Sequence, residues 1–383
     1  MRGPTGPRGG PGFRGYPPGM TRIAAVATAL PDHAYSQEAI TDLLAPMVTE
    51  DPRKQSLLRR IHSSAHVATR HLVLPLEQYR TALTFGQTND RFVGEATRLA
   101  AGAMREALDA AGVAPDEVDF VVFTSVTGIS APSVDALLVP LLGLRDDVKR
   151  MPMFGLGCVA GAAGIARVHD YLAGHPDEVA VLLSVELCSL TVQRDDDSMD
   201  NIVASGLFGD GAAAVVLVGD ARAARSGIRG PSVVDTRSRL YPGSVSTIGF
   251  RPSETGFRVI LTAGVVDVID ANLPGDARAF LGRHGLTTGD VGAWIAHPGG
   301  PKVLDAFQRG LDLPDGALDK SWESMAKVGN LSSSSVLHVL AAELAEPHLA
   351  DEWGLLFALG PGVSAEFVLL QWGPSAVALP SAA

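Results

Sequence analysis

"AGVAPDEVDFVVFTSVTG", Ala111 to Gly128, and "HGLTTGDVGAWIAHPGG", His284 to Gly300, together decide the fold. Each reads as a helix end, an acidic turn (at Asp116 in the first) and a short apolar run, Phe120 to Thr124 and Ala293 to His297, with the length and flanks of a buried strand. Downstream the two stretches stay alike. A Gly- or Ser-rich element opens a helix, "GLGCVAGAAGIARVHDYLAGHP" from Gly155 and "GNLSSSSVLHVLAAELAEPH" from Gly329. Another apolar strand comes next, "VAVLLSVEL" and "GLLFALG", and each half closes on a Gly-rich turn and a strand, "FGDGAAAVVLVGD" and "LGPGVSAEFVLLQWG". One such order is common among α/β chains. Two in succession point to an internal duplication whose switch lies near Asp220 to Gly230, giving halves of 21–225 and 226–375.

At 383 residues, 46% hydrophobic and 19% charged, the chain can bury a large core. A net charge of -11 argues against a general nucleic-acid binder, which needs a concentrated basic surface. Two cysteines cannot build a disulfide framework, so a reducing, cytoplasmic setting is expected. No apolar run reaches the roughly 18 to 20 residues that span a bilayer, so no membrane partner is expected. The Gly/Pro/Arg-rich start, 1–20, lacks the apolar region of a signal peptide and reads as a disordered tail, with 376–383 as a second tail.

If the two halves pack together, equivalent helix starts and strand ends converge, which would gather Cys158, His297 and Asn330 into one site. Cys158 stands among Gly155, Gly157, Gly161 and Gly164 at a helix start, where backbone N–H groups and the helix dipole favour a thiolate. The small neighbours Ala160, Ala162 and Ala163 leave room for an acyl group. Cys188, ending an apolar strand, reads instead as a small core or pocket-wall residue. The glycine string lacks the third glycine and the acidic partner of a dinucleotide loop. His297 precedes Pro298-Gly299-Gly300, a turn expected to expose its imidazole at a strand tip. Asn330 taken alone is a helix N-cap. Together the three can load an acyl group and hold an enolate oxyanion as a malonyl thioester loses carbon dioxide. A Cys/His/Asn hydrolase uses the same residue types, so residue type alone leaves both chemistries open.

Five segments, "GLGCVAGAAG", "LFGDGAAAVVL", "WIAHPGGPKVLD", "KVGNLSSSSVLHVL" and "LGPGVSAEFVLLQW", resemble the type III (chalcone-synthase-like) polyketide synthases in order and spacing, over nearly all of Arg22 to Gly373. The resemblance implies a thiolase-like fold, a duplicated, layered α-β-α-β-α core. It also implies a homodimer with one site per chain, an acyl-CoA starter, malonyl-CoA as extender, and no cofactor or metal. It assigns the nucleophile to Cys158, decarboxylation to His297 and its partner Asn330, and the phenylalanine between CoA tunnel and cavity to Phe208. A second gatekeeper phenylalanine falls on Val259, so that aromatic wall is expected to be absent. Val126 and Thr127 would face the nucleophile, with Thr191, Cys188 and Ser332 on the cavity wall, and Arg60 and Lys54 would meet CoA phosphates. Val126 departs from the cysteine of bacterial naphthalene-forming members, and Ala131 from the methionine that reaches the partner subunit in plant enzymes. A small aliphatic wall favours a fatty acyl starter and an alkylresorcinol or alkylpyrone product. Two rivals stand beside this reading. A ketoacyl synthase taking malonyl from acyl carrier protein differs in its histidine and asparagine flanks, and a non-catalytic partner subunit typically loses the cysteine.

Overall fold

Runs rich in β-branched and aliphatic residues become strands, and in both halves they do so in the same order. In the computed structural model the first half contributes β1 (Thr21–Ala29), β2 (Phe120–Thr124), β3 (Lys149–Met153), β4 (Val179–Leu187) and β5 (Asp210–Gly219). The second contributes β6 (Ser232–Leu240), β7 (Val291–Ala296), β8 (Trp353–Gly360) and β9 (Ser364–Gln371). Residues 20–373 are described, so both expected tails lie outside the described residues apart from Met20, which is buried.

All nine strands form one sheet in the order β7, β8, β9, β6, β1, β5, β4, β2, β3. Pairing repeats between the halves. β2 runs parallel to β4, which is antiparallel to β5, itself antiparallel to β1; β7, β8, β9 and β6 obey the same rule. The copies meet where β1 and β6 pair antiparallel over Thr21 with Val233 and Arg22 with Ser232. Equivalent strands meeting antiparallel is what a two-fold relation between copies requires.

Among the helices that cover this sheet are α1 (Phe85–Ala111), α2 (Val134–Leu142), α3 (Ala160–Gly174), α4 (Val265–Gly282), α5 (Pro301–Gly310) and α6 (Ser335–Leu344). The equivalent helices α3 and α6 lie between the halves. Their Ile165, Val168, Val336 and Leu340 share one core with Leu182 of the first half and Leu356 of the second. Helices α1 and α2 cover the first half's other face, and α4 and α5 the second's. The result is the layered helix, sheet, helix, sheet, helix core, its two sheet layers continuous at the β1/β6 seam. None of the helices among the described residues is long and apolar enough to cross a membrane.

Two close approaches set the centre. A Cβ at Gly161 would stand 2.3 Å from the Ser333 carbonyl oxygen, so only glycine lets α3 meet the turn that opens α6. Gly157 has a φ of 54° and its missing Cβ makes room for Pro361, which turns the chain into α3 just at Cys158. Strand β7 ends at Ala296, one residue before the expected end, so His297 falls just beyond it.

Candidate active site

Cys158 lies in a one-turn 3-10 element, Gly157–Val159, that leads into α3, and its Sγ donates to Ser332 Oγ at 3.6 Å. Ser332 opens the matching turn before α6 and adopts a left-handed φ of 50°. It is held there by Asn330, whose Oδ1 accepts from the Ser332 N–H at 2.8 Å and from Ser335 Oγ at 3.2 Å. The Asn330 Nδ2 donates to the Gly299 carbonyl at 3.3 Å, and the Gly299 N–H to the His297 carbonyl at 2.9 Å. A bonded path thus runs from Cys158 through Ser332, Asn330 and Gly299 to His297. The N-cap expectation describes half of Asn330, since its oxygen caps the turn while its amide faces the His297 segment. Its backbone also forms an isolated parallel bridge with Phe208.

Two sequence expectations need correction. His297 is 2% exposed rather than displayed at a strand tip; its N–H is tied to the Phe357 carbonyl, its Nδ1 has no partner, and burial presses its pKa down to about 3. At Cys158 burial works against the thiolate. Burial, and then the nearby Glu186 carboxylate, push the thiol up to about 12, and the Ser332 hydrogen bond offsets only part of this. Desolvation outweighs the helix N-terminus because α3 is deep in the molecule and no cation pairs with the sulfur. Burial thus favours the thiol and the neutral imidazole over their charged forms.

Cys158 opens onto a cavity with about 950 Å3 of space free of protein atoms, the open solvent at its mouth included. Cys188, Thr191, Phe208, Val259 and Ser332 line it too, so these expected wall residues share one cavity with Cys158. Val126 and Thr127 are not in its lining. Both are buried, and Glu186 accepts from the backbone N–H of Val126 at 3.1 Å and from Thr127 Oγ1 at 2.9 Å. The expected absence of an aromatic wall beside Val259 is also corrected. Phe250 and Phe257 line the cavity from a separate hairpin, Ile248–Ser253 paired with Gly256–Leu261. Alternation along that hairpin sends Phe257 and Val259 to the same face. Arg60 lies on the exposed face of the helix Pro52–Ser63, and Lys54 of that helix is paired with Asp197 at 2.5 Å.

Two residues of this region escaped the sequence reading. Glu186 is fully buried and links the Thr127 segment to Ser333, whose Oγ donates to it at 2.5 Å; burial raises its pKa. A carboxylate inside the nine-residue buried strand β4 was a legible signal. Arg70, on the short strand Thr69–Leu72, lines the cavity with its head buried; the signal was its inward phase, shared with Leu72.

The chain is similar to known proteins in sequence and in fold. The family model for chalcone and stilbene synthases matches with its N-terminal domain over residues 15–221 and with its C-terminal domain over 232–373. A 1,3,6,8-tetrahydroxynaphthalene synthase of Streptomyces peucetius subsp. caesius is 55% identical over 354 residues, 92% of this chain and 93% of that protein. A phloroglucinol synthase of Pseudomonas fluorescens is 30% identical over 92% of this chain and 99% of its own. The crystal structure of 1,3,6,8-tetrahydroxynaphthalene synthase from Streptomyces coelicolor A3(2), described as a bacterial type III polyketide synthase, superposes with a TM-score of 0.86 at 29% identity, covering 92% of this chain and 100% of that one. Matched along both halves in sequence and in fold, the chain belongs to the chalcone and stilbene synthase family and is a type III polyketide synthase, an enzyme of the acyltransferase class.

Proposed function

We propose that this enzyme condenses malonyl units on Cys158, without metal or cofactor, into a polyhydroxylated aromatic of the 1,3,6,8-tetrahydroxynaphthalene kind. The observation that carries the reading is Cys158 on the wall of a largely apolar cavity, joined through Ser332 to Asn330 and the His297 segment. Similarity to the Streptomyces peucetius relative supports the product. In this mechanism the neutral His297 accepts the thiol proton as Sγ attacks the thioester of an incoming acyl-CoA, and that proton leaves with the CoA thiolate. Malonyl-CoA then loses carbon dioxide. Its enolate oxygen is held by His297 and by the Nδ2–H of Asn330 that Gly299 does not use, and the enolate carbon attacks the Cys158 thioester. Arg60 and Lys54 serve CoA phosphates. The enzyme acts as a homodimer, a reading supported by exposed Ile129, Leu141 and Phe154 near the edge strand β3.

A fatty acyl starter with an alkylresorcinol or alkylpyrone product is the second reading, favoured by the aliphatic stretch Ile40, Leu44 and Leu72 of the lining. Incubating the purified enzyme with labelled malonyl-CoA, alone and with acyl-CoAs from acetyl to stearoyl, separates the two by product mass. A naphthalene formed from malonyl-CoA alone and absent in Cys158→Ala supports the first reading. Products only with long starters move the conclusion to the second. Turnover only with acyl carrier protein overturns both.

A further inference from the structure

The helix Met199–Leu207 ends at Phe208, and four successive carbonyls at that end find partners outside the helix. Gly206 accepts from Gln37 Nε2 at 2.7 Å, and Leu207 from the Asn330 N–H at 2.8 Å. Ser205 and Phe208 both accept from Arg70 Nη1, each at 2.8 Å. Alternation along the strand Thr69–Leu72 turns Arg70 inward, where it is 2% exposed, and its charge suits a helix C-terminus. Nε and Nη2 are buried without a partner. A guanidinium buried with two nitrogens unmet costs stability, and the pair of carbonyls is what its head holds.

Those carbonyls lead to Asn330. The peptide that follows Phe208 is one rigid plane. Its C=O accepts from Arg70, and its N–H, on Gly209, donates to the Asn330 carbonyl at 3.0 Å. Arg70 and Asn330 thus grip opposite ends of the same plane, and the Asn330 N–H on the Leu207 carbonyl completes the bridge. The stem of Arg70 adds a second contact. A Cβ at Gly329 would stand 3.2 Å from Arg70 Cγ and Cδ and 2.7 Å from the Leu207 carbonyl oxygen, so the residue before Asn330 rests against both. We propose that Arg70 is a positioning residue that, through the Phe208–Gly209 peptide and Gly329, holds the Asn330 carboxamide where its free N–H meets the enolate oxygen of malonyl-CoA. This rests on the reading that Asn330 acts in malonyl-CoA decarboxylation.

Two rates separate this role from general support of the fold: carbon dioxide release from malonyl-CoA, and acylation of Cys158 by an acyl-CoA, read by protein mass. Acylation needs the thiol but no enolate donor. Arg70→Met should lower carbon dioxide release roughly 10²-fold, the cost of about 1 Å of misplacement, and leave acylation within about three-fold. Arg70→Lys, which keeps a cation for the two carbonyls, should recover most of the loss. In an Asn330→Asp background the amide donors are already gone. There Arg70→Met should cost less than about two-fold more, because two residues acting through one group do not add. If Arg70→Met does not melt cooperatively, Arg70→Gln, with one amide group for one carbonyl, is read through the same cycle. A folded Arg70 variant with the wild-type rate of carbon dioxide release, an equal loss of acylation, or losses that multiply in the double variant overturns the proposal. Asn330→Asp at the wild-type rate overturns the decarboxylation reading instead, whatever Arg70 does.

Discussion

At Cys158 two rules compete, and depth decides between them. A helix N-terminus favours a thiolate, yet burial without a cation favours the thiol more, and the same burial keeps His297 neutral. Since the thiolate fraction keeps growing up to a pKa of about 12, alkylation of Cys158 by iodoacetamide in the unliganded enzyme should rise about ten-fold per unit from pH 7 to 9. Mass spectrometry of the modified peptide checks this; a plateau already reached at pH 7 would mean a thiolate–imidazolium pair. Asn330 offers a sharper separation of roles. Asp at this position keeps the oxygen that holds Ser332 and Ser335 but loses the N–H donors. Asn330→Asp should fold normally while malonyl-CoA decarboxylation falls roughly 10²–10³-fold, the cost of one oxyanion donor. A rate within two-fold of wild type would remove Asn330 from the mechanism.

Among the elements, the tightest constraint is where α3 crosses the turn that opens α6. Gly161→Ala would drive a methyl group into the Val336 side chain and into the Ser333 carbonyl, backbone that cannot step aside without moving Ser332. A loss of about 2–3 kcal/mol is expected, read as a lower denaturant midpoint, with activity reduced in whatever remains folded. Gly102, inside the long helix α1, gives the opposite sign. Nothing stands within 4 Å of its added Cβ, so Gly102→Ala should stabilise by roughly 0.5–1 kcal/mol. Equal effects at the two positions would contradict the packing described for the central helices.

Across the whole molecule, burial leaves a signature in pH dependence. Burial lowers the pKa of His62 to about 4, His297 to about 3 and His338 to about 4, each against an ordinary 6.5. Below pH 6.5 the unfolded chain binds protons at these sites that the folded chain refuses, so stability is present above 6.5 and is lost as pH falls toward 4. Each group costs roughly 1–2 kcal/mol at pH 5. Asp210, raised to about 6 mainly by burial, and Glu186, raised by burial, hold protons in the folded state and offset part of the loss. With four lowered imidazoles, His169 included, against three raised carboxyls, Glu366 included, the thermal midpoint should fall by several degrees between pH 6.5 and 4.5. A flat calorimetric profile over that window would show that the imidazoles are hydrated.

The sequence alone determined the architecture, because strand and helix periods are local and repeat. Phe120–Thr124 and "VAVLLSVEL" are strands as read, and the parallel order of motifs from Gly155 and from Gly329 announced two copies of one unit. It also singled out Cys158, His297 and Asn330, since glycine and serine flanks at helix starts are visible in one dimension. Only the tertiary structure decided their electrical state. Whether a thiol or an imidazole is charged depends on the water and charges excluded around it, which come from residues far apart in the chain. The same holds for the cavity. Phe250 and Phe257 enter it from a hairpin whose register is not written in its composition, and Arg70 and Phe208, 138 residues apart, meet in its wall only through the tertiary fold.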